Sequence, residues 1–132
     1  MSGRADVTIL VVTPLQEELD ALLQGCAEQG FRAEQTTAGR LPLARLPDLG
    51  LALARGGVGK AQFALQTQHL LDTGGEWEAA ICAGTAGALA AGDVVVATAT
   101  VEHDYREGFI GQPLGCSRTI TPPPLYPLPH DR

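Results

Sequence analysis

The sequence predicts an α/β protein with a mixed, twisted sheet and flanking helices, a three-layer arrangement. Three observations predict it. Residues 7–13 (VTILVVT) and 78–83 (EAAICA) are unbroken apolar runs of strand length, the pattern of strands covered on both faces. Stretches with helical spacing of apolar residues separate the strand-like runs, so helical crossovers are expected. The chain is 45% apolar but only 5% aromatic, so its core is built of Ala, Val and Leu, which lets helices lie close on a sheet.

The elements follow in order. Residues 7–13 form the first strand. Thr13 is placed to cap a helix, with Pro14 at its first position, where a missing N–H costs nothing. Glu17 and Glu18 then sit at the positive end of the helix dipole. Leu15, Leu19, Leu22, Leu23 and Cys26 keep a helical period, and the helix is expected to end near Gly30. Thr36-Thr37, residues 41–46 and residues 49–54 read as short antiparallel strands, turning at Ala38-Gly39-Arg40 and at Pro47-Asp48. Gly56-Gly57-Val58-Gly59-Lys60 is a glycine turn. A second helix is expected over about residues 58–72, burying Ala61, Ala64, Leu65, Leu70 and Leu71 and stopping at Gly74-Gly75. Residues 78–83 form a buried strand, residues 84–92 a small-residue loop, and residues 93–101 (DVVVATATV) a long strand. Residues 1–112 are expected to make one α/β domain. Residues 113–132 are expected to be an extended arm, because Pro122, Pro123, Pro124, Pro127 and Pro129 oppose regular structure.

Charge and cysteine usage narrow the function. Nine basic against fifteen acidic residues give a net charge of −6, with no basic stripe for a nucleic acid and no attraction to an anionic membrane surface. No apolar run reaches spanning length, and residues 1–6 are polar, so a cytoplasmic protein is expected. Cys26, Cys82 and Cys116 fit neither a disulfide framework nor a metal spacing. Cys26 and Cys82 read as buried, inert thiols. Neither a metal nor a cofactor is expected.

Three places could carry chemistry. The turn at Gly56–Lys60 superficially resembles a nucleotide-phosphate loop, but Ala54 stands where that loop needs glycine and Ala61 where it needs the magnesium-binding Ser or Thr. That excludes an ATPase or GTPase, and no GxGxxG follows the first strand either. A tight strand-to-helix turn explains these glycines equally well. Gly84-Thr85-Ala86-Gly87-Ala88 follows a strand end, where open α/β sheets bind ligands, and small residues there let backbone N–H groups approach one. An ordinary glycine turn is the alternative. The Glu17-Glu18 pair offers a general base if burial tunes it, or merely two solvated acids that favour the helix start. His103-Asp104 cannot be a dyad on its own, since neighbouring strand side chains point oppositely.

Taken together, residues 9–23 (ILVVTPLQEELDALL), 51–72 (LALARGGVGKAQFALQTQHLLD) and 80–103 (AICAGTAGALAAGDVVVATATVEH) resemble the purine nucleoside phosphorylase superfamily, nearest the 5′-methylthioadenosine/S-adenosylhomocysteine nucleosidases. The resemblance spans roughly residues 7–105. It implies hydrolysis of the N-glycosidic bond of a purine nucleoside, with purine nucleoside phosphorylase or futalosine hydrolase as alternatives. Glu18 falls on the glutamate that helps activate water, with Glu17 as its neighbour. Thr85 falls on the Ser/Thr that contacts the nucleophile, water or phosphate, and Arg55 keeps phosphate open as a ligand. Gly84, Ala86 and Gly87 would supply backbone contacts near ribose and base, and Asp93 would tidy the sheet. Residues 109–116 (FIGQPLGC) loosely resemble a loop that reaches a neighbouring subunit, which implies a homodimer or other homo-oligomer. The resemblance further implies a second half, holding a Met-Glu pair for the ribose hydroxyls and an aspartate that protonates the purine N7. Asp104, Glu107 and Asp131 lie in no such motif. The chain thus reads as the N-terminal half, truncated, with the alternative that it is a non-catalytic nucleoside-binding or assembly module.

Overall fold

The computed structural model describes residues 7–87, 94–97, 99–102 and 118–120. Asp93, His103, Asp104, residues 109–116, the expected boundary after residue 112 and the tail prolines lie outside them. The described residues fall into two compact units, divided between Ala86 and Gly87.

The first unit is built on five strands: β1 (Ile9–Thr13), β2 (Glu34–Ala38), β3 (Leu41–Leu46), β4 (Leu51–Arg55) and β5 (Ala79–Cys82). Helix α1 (Gln16–Glu28) follows β1, and α2 (Lys60–Thr73) follows β4. The sheet order is β2-β3-β4-β1-β5. β1 runs parallel to β4 and to β5, with Val11 opposite both Leu53 and Ile81. The β2–β3 and β3–β4 pairs are antiparallel, so the sheet is mixed, as expected.

Alternation along β1 sorts the core into two layers. Leu10 and Val12 join Leu43, Ala52, Ala54, Leu70 and Trp77 on the α2 side. Val11 joins Leu19, Leu46 and Leu53 on the α1 side, backed by Leu23, Cys26 and Phe31. One helix per face makes three layers. Two tight spots fix the α2 layer. A side chain at Gly74 would meet the Leu70 carbonyl at 2.6 Å and Trp77 at 2.7 Å, where the indole N–H donates to that same carbonyl at 3.3 Å. Gly39 turns β2 into β3 at φ +58° against the His69 ring, whose Nε2 accepts from the Arg40 N–H at 3.1 Å.

Several expectations are corrected. Thr13 does not cap α1. It stays in β1, fully buried, and the residue before the helix is Leu15, whose N–H is capped from within the helix by Glu18 at 3.1 Å. α2 starts at Lys60, and its buried line runs through Phe63 and Leu70 with Leu71 beside them, while Ala61, Ala64 and Leu65 are exposed, Leu65 by 69%. The bulkiest side chains set the face, and the Gln66 amide can turn inward because it has partners. Oriented to satisfy both of its ends, it donates to the carbonyls of Gly56 (3.2 Å) and Arg55 (3.3 Å). β5 is not buried: among the described residues it ends the sheet, with Ile81 48% exposed and Cys82 exposed too.

In the second unit, β6 (Thr100–Glu102) pairs antiparallel with β7 (Arg118–Ile120), Val101 opposite Thr119. Of the long strand expected over residues 93–101, the described residues show strand at Thr100 and Val101. Val94, Val95 and Val96 belong to no strand and are 92%, 83% and 86% exposed, because strand propensity needs a pairing partner to become a strand. β7 forms inside the expected extended arm, in a stretch free of proline between Pro113 and Pro122.

Candidate active site at the ends of the parallel strands

β4, β1 and β5 run in one direction, so Arg55, Thr13 and Cys82 end the sheet on the same side, the side where open α/β sheets hold ligands. Backbone hydrogen bonds stitch that end together: Gly56 N–H donates to the Thr13 carbonyl at 2.7 Å and Ala83 N–H to the Val12 carbonyl at 3.0 Å. From there the chain leaves β1 through Pro14-Leu15 into α1, and leaves β5 through Ala83-Gly84 to Thr85.

Those two exits meet at Glu18. Its Oε1 accepts the Thr85 backbone N–H at 2.8 Å and the Thr85 hydroxyl at 2.7 Å, across 67 residues of sequence. Its Oε2 accepts the Leu15 N–H at 3.1 Å. The Thr85 backbone bond, then the Thr85 hydroxyl, then the Leu15 N–H hold the carboxyl below the usual carboxylate range, against a smaller opposing push from burial. Gly84 permits the approach: a side-chain carbon there would stand 3.2 Å from Glu18 Oε1 and 3.3 Å from Pro14 Cδ.

A carboxylate offers about four acceptor positions. Two at Oε1 and one at Oε2 are taken, which leaves one on Oε2 for an incoming donor. The Thr85 hydroxyl has committed its proton to Glu18, so its oxygen can only accept from a ligand.

Pro14 and Cys82 also border a cavity of about 330 Å³, lined further by Gly57, Val58, Gly59, Lys60, Phe63 and Ala64. Partial desolvation of its sulfur on the cavity side, and next the charge of Glu18, push the Cys82 thiol up, so it stays a neutral wall of the cavity. Arg55 lines a second cavity, of about 380 Å³, between α1 and the β2–β3–β4 face, together with Gln16, Asp20 and Gln35.

The structure therefore brings together Glu18, Thr85 and Gly84. Ala86 follows on, exposed, and makes no hydrogen bond to Glu18. Gly87 opens the second unit. Glu17 is exposed, a solvated acid in the first helical turn. In the Gly56–Gly59 turn, Gly56 serves packing, since a side chain there would strike Phe63 at 2.6 Å and Val12 at 2.8 Å, while Gly57 and Gly59 take positive φ (+86° and +94°) and border the cavity beside Pro14 and Cys82. Sequence reasoning missed the Leu15 N–H as a donor to Glu18 and missed the cavity residues Pro14, Val58, Phe63 and Cys82. Pro14 and Cys82 could have been found, since both sit at ends of strand-like runs. Among the described residues, no cluster of three or more His, Cys, Asp or Glu could hold a metal ion, and no helix is long and apolar enough to cross a membrane.

A family model described as the phosphorylase superfamily matches residues 8–131, and the chain belongs to that superfamily. No curated protein and no solved structure matches the chain.

Proposed function

We propose, from a chain that belongs to the phosphorylase superfamily, that its site serves a nucleosidase: hydrolysis of the N-glycosidic bond of a purine nucleoside by a water held between Glu18 and Thr85. The observation that carries this reading is the committed Thr85 proton. Water has two protons to give, one to the open position on Glu18 Oε2 and one to the Thr85 oxygen, and its lone pair stays free to attack. Phosphate would need donors, and this pair presents an ionised carboxylate and a hydroxyl already donating. Arg55, the cation that kept phosphate open, lines the other cavity, while Lys60 stands in the lining of the cavity beside Pro14 and Cys82. The ionised carboxylate and the committed hydroxyl are what favour hydrolysis over phosphorolysis.

Held ionised by three donors, Glu18 is a weak base. It orients the water and its negative charge stabilises the cationic sugar of an oxocarbenium-like transition state, taking the water's proton late, while the purine departs with the electron pair of the broken C–N bond and is protonated from solvent. The apolar cavity beside Pro14 and Cys82 suits an uncharged part of the nucleoside.

The test is to incubate the chain with 5′-methylthioadenosine, S-adenosylhomocysteine, inosine and futalosine, with and without phosphate, and to follow free base by chromatography. Release without phosphate, lost in Glu18→Gln, is expected. Release only with phosphate would overturn hydrolysis. Nucleoside binding by the folded chain without release would leave a binding module.

A further inference from the structure

Among the described residues Thr13 is the buried polar side chain, with no exposure at all. Its hydroxyl does not cap α1. It donates to the carbonyl of Leu15, 3.4 Å away and two residues on. Its own carbonyl is anchored to the neighbouring strand end by the Gly56 N–H at 2.7 Å. Thr13 is thus fixed to the sheet on one side and holds the next turn of chain on the other.

What it holds is the residue that caps Glu18. Leu15 sits extended, at φ −108° and ψ 149°. Its carbonyl takes the Thr13 hydroxyl and the Leu19 N–H (3.2 Å), and its N–H donates to Glu18 Oε2. With the carbonyl side tethered, the two torsions of Leu15 are restricted, and the direction of its N–H with them. A buried hydroxyl at this spot is costly unless bonded, and valine would fill the same space without that requirement.

We propose that Thr13 is a positioning residue for Glu18: its buried hydroxyl fixes Leu15 so that the Leu15 N–H stays aimed at Glu18 Oε2 and leaves one open position there. The inference rests on the nucleosidase reading for its bearing on catalysis, but not for its structural content. Oε2 is the oxygen that still has room for the water, so a Leu15 N–H that wanders either crowds that position or abandons the carboxylate.

The experiment separates the two claims. Glu18 is titrated by carbon-13 NMR of labelled glutamate carboxyls, its signal assigned by loss in Glu18→Gln, in the native chain, Thr13→Val and Thr13→Ser. The pH profile of base release is recorded for the same three. Thr13→Val is expected to move the Glu18 titration upward and to carry the acid limb of the rate profile with it, lowering kcat more than KM. Thr13→Ser is expected to restore both. An unchanged Glu18 titration in folded Thr13→Val would overturn the proposal, and so would equal shifts in Val and Ser, which would trace the effect to packing. If Thr13→Val does not fold, Thr13→Cys, of similar size with a weaker donor, is read by the same criteria. A shifted Glu18 without any base release from the native chain would leave the positioning role standing and sink the nucleosidase reading alone.

Discussion

Glu18 gathers its partners from two ends of the chain, and its acid–base behaviour follows from them. Because Thr85 and Leu15 favour the charged form, the folded-state value lies below the unfolded one. Its contribution to stability is therefore present above the ordinary carboxylate value of about 4.3 and is lost as pH falls through the lowered folded value. Hydrolysis that needs ionised Glu18 should persist to a pH below that ordinary range. Thr85→Val removes the hydroxyl donor and keeps the N–H, so the acid limb of the pH–rate profile should move up. A limb that stays put would show that Glu18 is not the group being titrated. Gly84→Ala brings a carbon to 3.2 Å from Oε1, a contact that yields by a few tenths of an ångström. Base release should fall while the melting temperature barely changes, which chromatography and calorimetry on one sample would check. At this scale the sequence was readable only through resemblance. Spacing alone left Glu17 and Glu18 equal and could not join Glu18 to a threonine 67 residues away. The misread residue, Thr13, carries the usual signature of a cap; what defeated that reading is that β1 continues through it and Glu18 caps the helix from inside.

Helices and strands were more legible than the faces they bury. Their order, the glycine turns at Gly39 and Gly74, and the start of β4 after Pro47-Asp48 all appear where local chemistry demands them, because turn residues act locally. The burial of α2 was not legible. Its apolar residues are spread around the helix, and only the position of Phe63 and Leu70 over the sheet decides which side goes in. The two readings differ in an observable way. Leu70→Ala should cost about 2–5 kcal/mol, as large-to-small core changes do, whereas Leu65→Ala should stay within about 0.5 kcal/mol of the native chain. Equal losses in chemical denaturation would restore the face through Ala61, Ala64 and Leu65. Gly39→Ala adds left-handed strain at φ +58° and a clash with the His69 ring. A loss of about 1–3 kcal/mol is expected, more than a turn glycine exposed to solvent would show.

For the molecule as a whole, the consequential feature is that, among the described residues, an apolar strand ends the sheet. The run at residues 78–83 reads as buried because continuous apolar strands usually have neighbours on both sides. Sequence reveals what a strand could bury, not how many strands stand beside it, and among the described residues β5 pairs with β1 alone. The residues Ala79-Ala80-Ile81-Cys82 carry no charge, proline or bulge to blunt the edge, and Ile81 is 48% exposed. Such an edge is a template for another strand. The chain in solution is therefore expected to associate as its concentration rises, by pairing at β5. Ile81→Lys places a charge on that strand where its neighbour Val11 lies in the α1-side layer. Since the Ile81 side chain is half outside already, its replacement should cost little stability, and the lysine stem can still cover the apolar surface beneath it. Sedimentation velocity over a concentration series should then show the variant shifted toward the monomer, at an unchanged denaturation midpoint. If native chain and variant sediment alike, association does not run through β5; if the variant instead loses several kcal/mol, Ile81 is covered in solution and this strand has a partner beyond β1.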